Sequence, residues 1–233
     1  MKSMKKQKLL SNALVFVVLT FIFVIAIFPV IYTIMGSFKG NLELLTSNSL
    51  FPKRFVLDNY VQAWNMANFE KYTLNSIFMS GTIVLGSIFT TTIAGYVFER
   101  GKFPGKNFLF GMVISSMFVS LGSLTLYPTY MIAKFFHINT SLWGVIIIRV
   151  FGLNVTNLFI TRSYIKTLST EIDEAAKVDG CSFFSIFTRI IFPLLKPLIA
   201  TIAILEFRHS WNDYLMPMVF TLSNKNRMPL IVG

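Results

Sequence analysis

Apolar residues run through the chain in long blocks separated by short polar passages, and these blocks define its elements. Stretches at about 14–35, 74–97, 107–126, 142–161 and 198–222 are each near the roughly 20 residues that a helix needs to cross about 30 Å of hydrocarbon. The pattern predicts an all-α, polytopic membrane helix bundle in one domain, residues 1–233, with five spans. Pro29 is placed to kink the first span, and Tyr127-Pro128-Thr129-Tyr130 to break the third apolar stretch. Leu57-Asp58-Asn59-Tyr60 and Trp64 lie in the polar passage 36–73, where Tyr60, Val61 and Trp64 suit a helix lying at the headgroups.

The loop 162–197 is the longest polar, helix-forming passage. Thr170 is read as an N-cap, with Glu171, Asp173 and Glu174 in the first turn, where the helix dipole favours negative charge. Gly180 supplies a left-handed residue to end that helix. A second start at Ser182 leads through Phe183, Phe184, Ile186, Phe187, Ile190 and Ile191 until Pro193 interrupts. The passage therefore reads as a short acidic helix, a glycine joint and an amphipathic helix returning to lipid.

Composition narrows the class. The chain is 54% hydrophobic and 13% charged, with 25 Phe, and its mean hydropathy is +0.65, so too little polar residue is present to coat a soluble domain. A net charge of +11 would suggest nucleic acid in a soluble protein, but here the basic residues collect at the ends of the spans. Placing the N-terminus in the cytoplasm puts Lys2, Lys5, Lys6, Lys8, Arg100, Lys102, Lys106, Arg162, Lys166, Lys177, Arg189 and Lys196 inside. Lys39, Lys53, Arg54, Lys71, Lys134, Lys225 and Arg227 then fall outside, a smaller set that fits the positive-inside rule. The basic start resembles a signal peptide, but its apolar run is too long and lacks a small-residue cleavage site. Cys181 stands alone, which excludes an internal disulfide, and no Cys/His pattern suggests a metal. Gly101-Lys102-Phe103-Pro104-Gly105-Lys106 has the wrong spacing for a phosphate loop, and no nucleophile, base and orienter stand together, so no catalytic residue is expected. His137 reads as a loop residue.

Glu174-Ala175-Ala176, then Gly180, Ile190 and Phe192-Pro193 resemble the cytoplasmic loop signature of ABC importer permeases, with Phe192 where that family usually has Leu. Trp211-Asn212-Asp213-Tyr214-Leu215 and Pro217 resemble the signature of the carbohydrate branch, in the line of the maltose system's second permease. Gly95-Tyr96-Val97-Phe98-Glu99-Arg100 resembles the family's exit from its helix, and Leu57 to Tyr60 its external segment. The family usually has a proline seven residues before the position of Pro128, where this chain has Leu121 beside Gly122. The resemblance implies an inner-membrane subunit that imports a sugar or oligosaccharide. Its expected partners are a homologous second permease, two ATPase subunits that bind ATP and Mg, and an extracytoplasmic solute-binding protein. Within it, Glu171, Asp173, Glu174, Ala175, Ala176, Asp179, Gly180 and Pro193 are the expected ATPase-coupling residues of a cytoplasmic coupling helix. Gly180 and Pro193 would pass its movement into the fourth and fifth spans. A sixth span is implied after Met228-Pro229-Leu230, and a chain ending at Gly233 is expected to be truncated before it.

Ionisable groups inside spans cost about 2.5 to 3.5 kcal/mol each on insertion scales and mark a path or a partner. Arg149 lies about seven residues into the fourth span, roughly 10 Å along it. Glu206, Arg208 and His209 fall in one turn of the fifth, and Trp211, Asn212 and Tyr214 follow with Asp213. These are candidate substrate-path residues, the aromatics offering stacking faces and the two arginines suiting an acidic saccharide. The structural alternative is that Arg149 snorkels to the interface and the others are satisfied by neighbouring helices. An ion-coupled secondary transporter or channel would use the same charges for ions, but it predicts internal repeats that the hydropathy does not display.

Overall fold

A computed structural model describes residues 2–119 and 122–233, the side chains of residues 2–11 excepted. Leu121 and the side chains of Lys2, Lys5, Lys6 and Lys8 thus lie outside the described residues. The described secondary structure is helical, and the chain divides into two compact units, one up to Phe69 and one from Glu70 onward.

The first unit holds α1 (Lys2–Ser37), α2 (Asn41–Thr46) and α3 (Asp58–Met66). α1 runs on through Pro29, and its apolar side chains from Leu14 to Ile34 stay exposed, as lipid-facing residues do. The Asp58-Asn59-Tyr60 motif opens α3 and turns back on the end of α1. Asn59 Nδ2 donates to Ser37 O (2.9 Å) and Lys39 O (2.8 Å), and the Tyr60 hydroxyl meets Ser37 Oγ at 2.6 Å. The motif thus satisfies backbone carbonyls that a helix end leaves unpaired.

The second unit is built on α4 (Phe69–Arg100), a continuous helix about 48 Å long at 1.5 Å per residue. Its partners are all shorter. α5 (Lys106–Ser116) ends well short of Leu126, and α6 is Leu126–Phe135. The stretch 107–126 is therefore not one helix, and Pro128 does not break it. Pro128 sits in the first turn of α6, where the backbone N–H that proline lacks would have had no partner. His137 lies between α6 and α7, in the left-handed region at φ +56°. The stretch 142–161 becomes α7 (Leu142–Phe151) and α8 (Val155–Thr167), bent by 40°.

At that bend Leu153 has φ +43°, and Asn154 caps α8 by accepting from Thr156 N and Asn157 N. A β-branched residue tolerates this backbone worst. Leu153→Val is expected to lower stability by about 1 kcal/mol relative to Leu153→Asn, measured as the midpoint of thermal unfolding in detergent; equal midpoints would remove the strain argument.

After α8 come α9 (Thr170–Val178), α10 (Phe183–Ile186), a π-turn at Phe187–Ile191, α11 (Phe192–Leu194), α12 (Lys196–Trp211) and α13 (Leu215–Thr221). The expected fifth span 198–222 is thus interrupted after Trp211. Phe183–Leu194 and α12 are bent by 79°, the break falling after Pro193 and before Pro197. Among the described residues two helices, Asn12–Ser37 and α4, are long and apolar enough to cross a membrane, rising to four if each bent pair is one crossing. Two apolar cores form in this unit. One joins Tyr96, Ile165, Ala176, Phe187, Leu195 and Ile202; the other joins Met79, Ile83, Ala133, Val145, Met216 and Phe220.

Candidate functional site

The expected coupling residues fall on two faces of one short helix. Ser169, not Thr170, is the N-cap of α9: its hydroxyl accepts from Glu171 N at 3.2 Å, and Thr170 is already helical. At the other end Gly180 has φ +79°, Gly180 N donates to Lys177 O (3.0 Å) and Cys181 N to Ala176 O (2.9 Å), a Schellman closure that requires the left-handed residue. Ser182 then caps α10 through Ser185 N. Between these ends Glu171, Glu174, Ala175 and Val178 are exposed, at the i, i+3, i+4, i+7 spacing that aligns them on one stripe. Asp173 and Ala176 are buried on the opposite side. Asp179, Gly180 and Pro193 are exposed.

Asp173 is held by two residues of α4. The Tyr96 hydroxyl donates to Oδ1 at 3.2 Å, and Arg100 Nε lies 3.0 Å from Oδ2. Arg100 also donates to Leu168 O at 2.6 Å, closing the end of α8. The preceding residue, Glu99, pairs with Arg162 of α8 at 2.9 Å, and the Arg162 guanidinium sits 3.8 Å from the ring centre of Phe110. The Tyr96 ring packs on Phe183 and Phe187. Gly95 lets α4 approach α8, since a Cβ there would lie 2.5 Å from Thr161 Cγ2. The sequence signal for Tyr96 and Arg100 was the motif at the end of their helix; their partner across the fold was not readable from it.

The intramembrane candidates gather at the two helix breaks. Arg149 forms an ion pair with Asp213, its Nε 3.1 Å from Oδ2, which ties the end of α7 to the joint between α12 and α13. Glu206 is buried, and its Oε1 accepts from Asn154 Nδ2 (2.8 Å) and Asn157 Nδ2 (2.5 Å). The two asparagines were not anticipated as site residues. A cavity of about 530 Å³ opens between these groups, with Arg149, Asn154, Glu206, His209 and Asp213 in its wall. A neighbouring cavity of about 600 Å³ is lined by Arg149, Arg208, Asn212, Asp213 and Tyr214. Trp211 lines neither, and stacks on Phe207 at 5.3 Å. Of the two arginines expected to favour an acidic saccharide, Arg149 is neutralised by Asp213, while Arg208 makes no ion pair among the described residues.

Broken apolar helices around a cavity walled by charged and polar groups, together with an amphipathic loop helix, suit a multi-pass membrane permease. Among the described residues no group of three or more His, Cys, Asp or Glu could hold a metal. The chain belongs to the binding-protein-dependent transport system inner membrane component family, which matches residues 2–231. It is accordingly a permease subunit of an ABC-type importer. It is 33% identical over 207 residues to protein LplC of Bacillus subtilis, covering 88% of this chain and 68% of that protein. It is 31% identical over 208 residues to the arabinooligosaccharides transport system permease protein AraQ of Halalkalibacterium halodurans, covering 88% and 74%. Among solved structures, a bacterial ABC transporter involved in the import of the acidic polysaccharide alginate shares the fold. The TM-score is 0.82 at 24% identity, over 94% of this chain and 77% of that one.

Proposed function

We propose that this permease passes a sugar or oligosaccharide across the cytoplasmic membrane of a prokaryote, driven by ATP hydrolysis in two partner ATPase subunits. A homologous second permease and an extracytoplasmic solute-binding protein complete the assembly. The carbohydrate substrate is supported by the similarity to a relative named for arabinooligosaccharides and by the Trp211-Asn212-Asp213 motif.

The observation that carries the coupling reading is the two-sided α9. Its buried face, Asp173 and Ala176, fixes it to the bundle, and its exposed stripe, Glu171, Glu174, Ala175 and Val178, is left for a partner. Two carboxylates at the N-terminal end of the stripe, followed by Ala175 and Val178, suit an apolar groove that is basic at one end. In this reading residues 1–233 are one permease domain. The N-terminus and the loop 162–197 face the cytoplasm, and crossings lie near 14–35, 74–97, 107–126, 142–161 and 198–222, the third being shared by α5 and α6 across the break between them. Glu206 with Asn154, the Arg149–Asp213 pair, Arg208, His209, Asn212 and Tyr214 line the substrate path, and the buried Asn157 holds Glu206 from behind.

The test is affinity purification of the solubilised wild-type protein with identification of everything retained, followed by uptake assays in proteoliposomes. An ATPase subunit, a second permease and a solute-binding protein that binds saccharide are expected. Retention of none of these, with saccharide uptake persisting when ATP is withheld and an ion gradient imposed, would favour the ion-coupled alternative.

A further inference from the structure

The cavities beside Arg149 and Asp213 belong to the substrate path already proposed, and the exposed face of α1 has nothing in the structure to say what covers it. The buried charges at the end of α4 are different, because neither the exposed coupling face nor the cavity uses them. Glu99 and Arg100 are consecutive and carry opposite charge; each holds the opposite charge of a different helix, Arg162 on α8 and Asp173 on α9. Asp173 side-chain exposure is 5% and that of Arg100 is 11%, so this pair is closed off from an ATPase docked on the exposed face of α9. The same α4 continues without a break towards the cavity. Ten residues before Arg100, Thr90 Oγ1 lies 3.1 Å from Val150 O, next to Arg149 and its pair with Asp213, and 3.1 Å from Gly86 O of its own helix, so that its one proton is shared between them. Further along, Asn75 donates to Asn226 O and Met228 O, and Ser76 Oγ accepts from Leu230 N.

We propose that Asp173 is a positioning residue clasped by Arg100 and Tyr96, and that this clasp makes α4 the member that carries movement of the coupling helix to the cavity. The proposal rests on the coupling reading of α9, and it adds a route that the Gly180 and Pro193 joints do not supply. The Pro193 joint lies beside the 79° bend, and the path to it from Gly180 runs through the π-turn, so this segment transmits axial force poorly. α4 is unbroken, and its end is held to α9 by the buried Arg100–Asp173 ion pair, which lies at 3.0 Å but outside hydrogen-bonding geometry, and by the charge-assisted bond from the Tyr96 hydroxyl. Force delivered to α9 therefore reaches Val150 and the helix break beside it before it passes through the bent α10 to α12 segment.

The test uses the whole assembled importer in proteoliposomes, with the co-purified solute-binding protein added or withheld. The variants are Asp173→Asn, Arg100→Gln and the two together, with Tyr96→Phe as a change that keeps the ring packed on Phe183 and Phe187. Each single variant is expected to retain the ATPase subunit at the wild-type level. Each should lose about tenfold of the stimulation of ATP hydrolysis by the binding protein, and the double variant should be no worse than the more severe single one, because both remove the same pair. Tyr96→Phe should show a smaller loss. Asp173→Asn releasing the ATPase while Arg100→Gln keeps it would overturn the proposal by making Asp173 a direct contact. So would single losses that multiply in the double variant, or wild-type stimulation in all four. A wild-type protein that itself retains no ATPase would instead sink the coupling reading of α9, a separate and earlier failure.

Discussion

Glu174→Lys is expected to reduce ATPase retention by about 100-fold while leaving the permease folded, because like charges brought together at an interface cost several kcal/mol. Glu174 is exposed, forms no ion pair among the described residues, and stands in the stripe with Glu171, Ala175 and Val178. Reversing its charge puts a second ammonium three residues from Lys177 and sets it against the basic groove that the proposed docking requires. Nothing inside the bundle changes, since Asp173 and Ala176 on the buried face keep their contacts. Gly180→Val separates geometry from charge. A Cβ at Gly180 meets nothing within 4 Å, so the penalty is the left-handed backbone alone, about 1 to 2 kcal/mol, and it falls on the Schellman closure that sets the end of α9. Quantitative pull-down and size-exclusion profiles of both variants check this. Full ATPase retention by Glu174→Lys would mean that the exposed stripe is not the docking face.

How far the sequence carried depended on the range of the interaction involved. α9 was legible because its signals are local: first-turn carboxylates, a glycine where the backbone turns left-handed, and Ser182 opening the next helix, all within a few residues. The N-cap was misplaced by one residue because Ser169 and Thr170 carry the same hydroxyl chemistry. Helix continuity was less legible. Hydropathy reads composition over about 20 residues and does not register that Gly152-Leu153-Asn154 or Asn212-Asp213-Tyr214 interrupts the backbone while the apolar residues continue on either side. The clasp on Asp173 was out of reach for another reason. Tyr96 and Asp173 are 77 residues apart in the chain, and only packing brings them together. Part of it could still have been inferred: Asp173 lies three residues before Ala176, on the stripe opposite Glu171 and Glu174, which places it on the buried side of an amphipathic helix. A carboxylate there needs a cation, and Arg100, at the end of a span, was a candidate.

Asp213→Ala is expected to destabilise the permease more than removing both members of its ion pair. The Arg149 side chain is 30% exposed and that of Asp213 10%, so the pair is largely shielded and its charges depend on each other. Taking away Asp213 strands a guanidinium beside the cavity. Removal of one member of a buried pair costs about 3 to 5 kcal/mol, and the open third of Arg149 moves the expectation to the low end, about 3 kcal/mol. That corresponds to a fall of about 6 to 12 °C in the unfolding midpoint for a chain of this size. Arg149→Leu with Asp213→Leu removes the desolvation cost together with the attraction, and should return the stability to within about 1 to 2 kcal/mol of wild type. Thermal unfolding of wild type, Arg149→Leu, Asp213→Leu and the double variant in one detergent measures the cycle, with Asp213→Ala run beside them. The double variant is also expected to lose uptake despite its regained stability, because the pair joins the end of α7 to the joint after α12, where both helix breaks meet the cavity. A double variant that is stable and transports normally would reduce the pair to a structural filler. One as unstable as Asp213→Ala would show that two leucine side chains cannot pack where the charges stood.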